Sequence, residues 1–295
     1  MRSVNDAIIL AGGMGTRMLP ASLFMPKETM PLIDTPILNH IVWEATKAGA
    51  TRIHLVLSKR KMEIIEDFLD NGSIFDEGVR DDLPRVALGL GSDDVEIIPH
   101  IQTKPGGVAD AISVALPQID GPFLVLLGDM LMIESHLGPI YSGAEFASSA
   151  SLELVNRFEQ TGSPCVGLRS VKDEEISNYG VVDISEGMVN EIVEKPSGSE
   201  APSNLILCGR YLLPENTSKI LEYYPISRYG ELQSISMLNH LINNGGLGAV
   251  ILDQMEMYDS GDSLTWLKAQ VDHGLRRADI SEDFFEWLSN RVTRI

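Results

Sequence analysis

The residues best suited to chemistry lie in Leu10-Ala11-Gly12-Gly13-Met14-Gly15-Thr16-Arg17-Met18-Leu19-Pro20, followed by Pro26-Lys27-Glu28. Three glycines in four positions let the backbone turn tightly and present bare N–H groups, an arrangement that cradles phosphates. Arg17 and Lys27 add fixed positive charge on either side. The chemistry this suits is the holding of a nucleoside triphosphate. A Walker A loop is excluded, because the lysine of Gly-x4-Gly-Lys-[Ser/Thr] is missing. A dinucleotide fingerprint fails twice. Met18 stands where its third glycine or alanine belongs, and the run Ile53–Ser58 leads into Lys59 rather than an acid for a ribose hydroxyl. An ordinary strand–turn accounts for the glycines but not for Thr16-Arg17, Leu19-Pro20 and Lys27 beside them.

Three further places carry chemistry-bearing side chains at the ends of apolar runs. Pro122–Leu127 reads as a central strand and leads through Gly128 to Asp129. An acid at the carboxyl end of such a strand can hold a metal beside a nucleotide; the plainer reading is an aspartate capping the next turn. Val95–Ile101 reaches Gln102 and a second glycine loop, Lys104-Pro105-Gly106-Gly107, where an α/β sheet places a ligand. Glu194-Lys195-Pro196 closes a strand; a carboxylate there can accept two sugar hydroxyls while the lysine neutralises a phosphate, although a solvated strand end has the same composition.

Gly-Gly-x-Gly-Thr-Arg-x-Leu-Pro with Pro-Lys-Glu resembles the signature of the sugar-1-phosphate nucleotidyltransferases, and Tyr179-Gly180-Val181-Val182-Asp183 with Glu194-Lys195-Pro196 is a second, independent match. Ala201-Pro202-Ser203-Asn204, Gly209-Arg210-Tyr211 and the ending around Asp272-His273-Gly274 resemble the bacterial-type UTP–glucose-1-phosphate uridylyltransferase branch in particular. The resemblance implies nucleotide contacts from Ala11, Gly12, Gly13, Gly15, Thr16, Gln102 and Gly107, and catalytic charges from Arg17 and Lys27. It implies sugar-phosphate contacts from Gly180, Glu194 and Lys195, and Mg²⁺ on Asp129 and on Asp259 of Tyr258-Asp259-Ser260-Gly261. Gln102 would pair with N3–H and O4 of uracil or thymine, since an amide both donates and accepts. Three positions depart from the common pattern: Met130 where an acid or Asn often follows the first aspartate, and Asp262-Ser263 where Asn-Lys often follows the second motif.

Elements must position these residues. Ala7–Leu10 reads as a buried first strand. Thr35-Pro36 reads as an N-cap before a helix marked by Ile37, Leu38, Ile41, Val42, Ala45 and Ala48, with Gly49 at its C-terminal end. His40 on this helix has no partner at ligand spacing and reads as structural. A charged helix is expected near 60–70, ending at Asn71-Gly72, and residues 73–94 read as an acidic surface insertion, a loop or a lid. A helix is expected over 149–161, a strand over 165–171, a hairpin turning at Glu186-Gly187, a helix from Gly230-Glu231-Leu232-Gln233, a strand over 249–252 and two amphipathic helices over 263–292. The alternation of strands and helices is that of a doubly wound sheet.

With 295 residues, 44% of them hydrophobic, the chain can bury an ample core. Forty-two acids against 23 bases give a net charge of −19, which speaks against a nucleic-acid partner. Cys165 and Cys208 sit in apolar runs too far apart for a zinc pattern and read as buried free thiols, so a cytoplasmic setting is the default. No apolar run approaches the ~20 residues a membrane span needs.

The expected fold is a Rossmann-like (GT-A-like) three-layer α/β sandwich with a mixed, mainly parallel sheet. Residues 1–262 would form the nucleotidyltransferase domain, the nucleotide part about 1–130 and the sugar part about 131–262. A small β region near 178–214 would carry the sugar, and 263–295 would be a helical extension. The resemblance implies direct transfer of uridylyl from UTP to glucose 1-phosphate, with thymidylyl transfer from dTTP as the nearer alternative and a non-catalytic sugar-nucleotide-binding regulator as the further one. A homo-oligomer is expected because relatives often form them.

Overall fold

A computed structural model describes residues 3–69, 82–87, 95–230 and 233–293. Asn71-Gly72, most of the acidic stretch 73–94 and Glu231-Leu232 lie outside the described residues.

The chain opens with β1 (Asp6–Leu10) and returns to the surface through the glycine loop and three short 3₁₀ turns. β2 (Pro31–Leu32) and β3 (Thr35–Pro36) form a small ladder before α1 (Ile37–Lys47). Thr35 is therefore not the helix cap. It is buried in the ladder opposite Leu32, and Pro36 takes the capping position in extended geometry. A side-chain cap is unnecessary for the first helical amide, because the Ile37 N–H donates to the Met30 carbonyl at 3.1 Å. Gly49 follows the helix with φ +98°, a conformation that favours glycine. Next come β4 (Arg52–Ser58), α2 (Lys59–Leu69), β5 (Glu96–Gln102), α3 (Val108–Ala115), β6 (Phe123–Leu127) and β7 (Met130–Ile133).

The second half begins with α4 (Ala150–Thr161) and β8 (Cys165–Ser170). β9 (Gly180–Ser185) and β10 (Met188–Glu194) form a hairpin whose turn residues, Glu186 and Gly187, both take positive φ as a type I′ turn requires. Then follow β11 (Leu205–Leu213), α5 (Thr217–Glu222), α6 (Ile226–Tyr229), α7 (Gln233–Asn243), β12 (Gly248–Ile251), β13 (Glu256–Asp259), α8 (Ser263–Arg276) and α9 (Ser281–Val292).

The main sheet runs β5-β4-β1-β6-β11-β8-β12-β10-β9. Seven of its nine described strands point the same way; β11 and β10 run against them. β9 also meets β11 through Ile206 and Val181, so β11, β8, β12, β10 and β9 form a closed ring. The region 178–214 is thus an extension of the main sheet and not a sheet of its own.

Strand alternation builds three layers. Ala7 and Ile9 of β1 face the core shared with Leu38, Ile41 and Leu154, while Ile8 faces the core shared with Ala109, Ile112 and Leu238. Ile8 and Ile9 are fully buried, and each contributes roughly 1.5–3 kcal/mol by leaving water. Behind the sheet, buried Arg210 grips Glu44 with two bonds of 2.7 and 2.8 Å, and the Ser151 hydroxyl donates to the same carboxylate at 2.5 Å. That triad ties β11 to α1 and α4.

The helical extension clamps the N-terminal half. Gln270 of α8 accepts from the Ile33 N–H and donates to the Pro31 carbonyl, both at 2.7 Å, and Arg277 holds both carboxylate oxygens of Asp34 at 2.8 Å. Ile33 has φ +61°, an uncommon conformation for a β-branched residue that these bonds stabilise. Leu267, Phe285 and Val292 on the two helices are exposed. Among the described residues, no helix is long and apolar enough to cross a membrane.

Candidate active site

The site forms at the carboxyl ends of the parallel strands. After β1, the chain passes Gly128 so closely that an added Cβ there would lie 2.7 Å from the Leu10 carbonyl oxygen. Gly15 turns the loop with φ +64°, and the Ser22 hydroxyl donates to its carbonyl at 2.8 Å. The loop is anchored from below by Lys61 of α2, whose ammonium donates to the Ala11 carbonyl at 2.8 Å and to both Glu28 oxygens at 2.8 and 2.6 Å. Burial pushes the Glu28 carboxyl up and the Lys61 ammonium down, and each charge partly offsets the shift of the other. Pro-Lys-Glu therefore divides its work. Glu28 faces inward to hold the loop, while Lys27 donates from its ammonium to Asp129.

Asp259 reaches this centre through the β7–β13 ladder, where it stands opposite Met130. The Ser260 N–H and hydroxyl both donate to the Asp129 carbonyl at 2.9 Å, fixing the two aspartate loops together. Burial raises the Asp259 pKa; the neighbouring Asp129 charge adds to the rise, while the Gly261 N–H at 2.6 Å, Arg17 and Lys27 oppose it. The Arg17 guanidinium lies against Gly261, where an added Cβ would be 2.7 Å from its Nη2. The pair offers hard oxygen donors whose mutual repulsion a cation would relieve. Among the described residues, no group of three or more His, Cys, Asp or Glu is placed to hold a metal ion by itself. Mg²⁺ fits such a sparse site, because it commonly takes one or two carboxylates and completes its shell with water and substrate phosphates.

A cavity of about 460 Å³ is lined by Gly12, Thr16, Lys61 and Gln102, among others. Gln102 Oε1 packs over Gly12, 2.9 Å from where a Cβ would stand, so a side chain there would push the amide aside. Gly107 opens α3 with φ +88° but lies outside the residues lining either cavity described here. A second cavity, of about 180 Å³, is lined by Met130, Tyr179, Gly180, Glu194 and Tyr211, with apolar residues of α3 and α7. Gly180 and Glu194 are partners across the hairpin, and a Cβ on Gly180 would come within 3.1 Å of Glu194 Oε2. Lys195 stands apart: its φ is +46°, its side chain is 62% exposed, and its ammonium is 3.6 Å from Glu194 Oε1.

The structure thus gathers Lys27, Asp129, Asp259 and Arg17 at one point, Gly12, Thr16 and Gln102 around one cavity, and Gly180 and Glu194 around another. Sequence reading gave no role to Glu28, Lys61, Asp110 or Ser260. Lys61 had a signal, as the last of the basic run Lys59-Arg60-Lys61 at a strand-to-helix junction. The departures also find structural reasons. Met130 is buried and walls the smaller cavity, and Asp262 caps α8 by accepting from the Leu264 and Thr265 N–H groups at 2.9 and 3.0 Å. Backbone bonds, Thr265 foremost, lower the Asp262 pKa. His40 is structural as expected, packed edge-on to Trp43 and held neutral by burial to a pKa of about 4. Both cysteines are buried free thiols pushed up to about 12 by burial.

A glycine-rich loop, a lysine–aspartate centre and two nearby cavities at the strand ends of a mixed sheet suit an α/β enzyme that handles a nucleotide. The family model described as Nucleotidyl transferase matches residues 6–272. Among curated relatives, UTP--glucose-1-phosphate uridylyltransferase 1 of Staphylococcus saprophyticus is 33% identical, covering 97% of this chain and 98% of its own. The Bacillus subtilis UTP--glucose-1-phosphate uridylyltransferase is 31% identical with 99% of each covered. Among solved structures, UTP-bound UGPase from Acinetobacter baumannii superposes with a TM-score of 0.79 at 27% identity, covering 97% of this chain and 98% of that one. The chain belongs to the nucleotidyl transferase family and is a nucleotidyltransferase.

Proposed function

We propose that this enzyme transfers uridylyl from UTP to glucose 1-phosphate, releasing pyrophosphate and forming UDP-glucose. The observation that carries the reading is the joining of Lys27, Asp129 and Asp259 in one centre, together with one cavity lined by the glycine loop and the Gln102 amide and another lined by Met130, Gly180 and Glu194. The names of the curated relatives, all uridylyltransferases among those compared above, favour UTP over dTTP.

The phosphate oxygen of glucose 1-phosphate attacks the α-phosphorus of UTP in line; a new P–O bond forms there as the bond to the leaving pyrophosphate breaks. The nucleophile is already an anion, so no general base is required. The demand on the protein is to bring two polyanions together and to stabilise equatorial charge. Lys27 meets the α-phosphate, Arg17 is assigned to the pyrophosphate end, and the backbone from Ala11 to Thr16 holds the triphosphate. Gly180 and Glu194 take sugar hydroxyls and Lys195 the sugar phosphate. Mg²⁺ held by Asp129 and Asp259 would supply charge neutralisation across both phosphates. The exposed apolar side chains of α8 and α9 support a homo-oligomer, and the two reduced-type buried thiols support a cytoplasmic setting. Division into a nucleotide part to about 130, a sugar part to 262 and a helical extension from 263 belongs to the same reading.

The test is pyrophosphate release with glucose 1-phosphate, UTP against dTTP, with Mg²⁺ and then with chelator. Metal-dependent release favouring UTP is expected. A preference for dTTP would move the assignment to thymidylyl transfer. Nucleotide binding without release, whatever the sugar phosphate, would favour a binding protein instead.

A further inference from the structure

One polar contact at the nucleotide cavity has no part in the transfer chemistry above. Gln102 Nε2 donates to Asp110 Oδ2 at 2.7 Å. Gln102 ends β5, and Asp110 sits in the first turn of α3, so two separate elements frame the pair. Space for the carboxylate is made at Gly106, where an added Cβ would fall 2.5 Å from Asp110 Cγ.

A carboxylate only accepts, whereas an amide has one donating end and one accepting end. With Asp110 beside it, the Gln102 amide has one satisfactory orientation. Its nitrogen faces Asp110 and its oxygen faces away, over Gly12 in the cavity wall. Turned over, the amide oxygen would be pressed against a carboxylate oxygen.

We infer that Asp110 is a specificity-determining positioning residue: by fixing which end of the Gln102 amide accepts, it selects the hydrogen-bonding edge of uracil over that of cytosine. The inference rests on the uridylyl-transfer reading. Uracil donates from N3–H and accepts at O4; cytosine accepts at N3 and donates from its amino group. The two edges are mirror patterns, and a glutamine free to turn over serves either. Held by Asp110, Gln102 Oε1 accepts from uracil N3–H while the second Nε2 hydrogen goes to O4. Cytosine in the same pose meets donor with donor and acceptor with acceptor, a mismatch that polar sites reject strongly.

The test compares kcat/KM for UTP and CTP, with glucose 1-phosphate as acceptor, in the unaltered chain, Asp110→Asn, Gln102→Leu and the double variant. Asparagine can donate as well as accept, so it tolerates either amide orientation. The UTP preference is expected to fall at least about tenfold in Asp110→Asn, with CTP turnover rising in absolute terms. Mere structural damage would lower both substrates together. In the Gln102→Leu background the same substitution should leave the preference within about twofold. Asp110→Ala, which removes the acceptor outright, should shift the preference in the same direction as Asp110→Asn. An unchanged UTP:CTP ratio in both Asp110 variants, or an equal shift without Gln102, overturns the inference. Failure of the unaltered chain to use UTP overturns the uridylyl-transfer reading itself, and the inference with it.

Discussion

Asp259 stands opposite Met130 in the two-stranded β7–β13 ladder, and that pairing brings together two carboxylates 130 positions apart in sequence. Each then has a different neighbour: Asp129 takes the Lys27 ammonium, and Asp259 takes the Gly261 N–H. Asp129→Asn and Asp259→Asn should each lower kcat by about 10²-fold or more while the fold is kept, on the scale of losing one preorganised charge contact. Steady-state pyrophosphate release at saturating Mg²⁺ measures this, with circular dichroism as the control. Near-normal turnover of either variant would remove that aspartate from the mechanism.

The Glu28–Lys61 pair supports the glycine loop from within the protein. Glu28→Gln leaves a buried ammonium without its counter-charge, which should destabilise the fold by about 3–5 kcal/mol. Lys61→Met should do the same and also free the Ala11 carbonyl. The double variant should recover part of the loss, because both charges are then gone. Urea unfolding with a constant m-value reads all three; single variants as stable as the parent would show that the pair anchors nothing.

The facing of Gly180 and Glu194 predicts a coupled effect on the sugar. Glu194→Ala should raise KM for glucose 1-phosphate more than it lowers kcat. Gly180→Ala places a methyl 3.1 Å from Glu194 Oε2 and should raise the same KM by displacing that carboxylate. The two effects should fall short of additive in the double variant. Lys195→Ala should also raise this KM, and an unchanged value in all of these variants would move the sugar site elsewhere.

A pH dependence of stability follows from the histidines under the helical extension. His136 and His273 share a 2.9 Å bond between ring nitrogens. Burial lowers both; His273 falls to about 3, with the His136 charge as its next cause. Folded pKa values below the ordinary 6.5 mean that the unfolded chain binds more protons between the two. The stabilisation is therefore full above pH 6.5 and erodes as pH falls below it. Thermal unfolding midpoints should drop from pH 6.5 to 5, and His273→Phe should flatten that slope. A parent profile flat over this interval would contradict the assignment.

Much of this site was legible in the chain because its parts are local. A glycine loop after an apolar strand, an aspartate at the end of a buried run and a Glu-Gly hairpin turn each declare themselves within about ten residues. What escaped depends on the fold's long closures. Lys61 meets Ala11 across 50 positions, and nothing near either residue announces the other. Asp110 is close to Gln102 in sequence, but only the angle between β5 and α3 turns proximity into a bond. Thr35 failed as a helix cap for the same reason: its local chemistry suits a cap, yet pairing with Leu32 and the Met30 carbonyl decide the geometry.

The ring made by β11, β8, β12, β10 and β9 has a consequence for self-association. A strand whose two sides are both paired offers no template for another chain to add to. The ring is held at two of its joints by single residue pairs, Ile206 with Val181 and Met188 with Gly248, whereas at the other end β5 pairs with β4 along its whole length and, among the described strands, with nothing on its far side. Pro99 lies within that border strand and contributes no N–H to an incoming backbone. One proline therefore interrupts the β5 border, where two such sheets could otherwise add edge to edge.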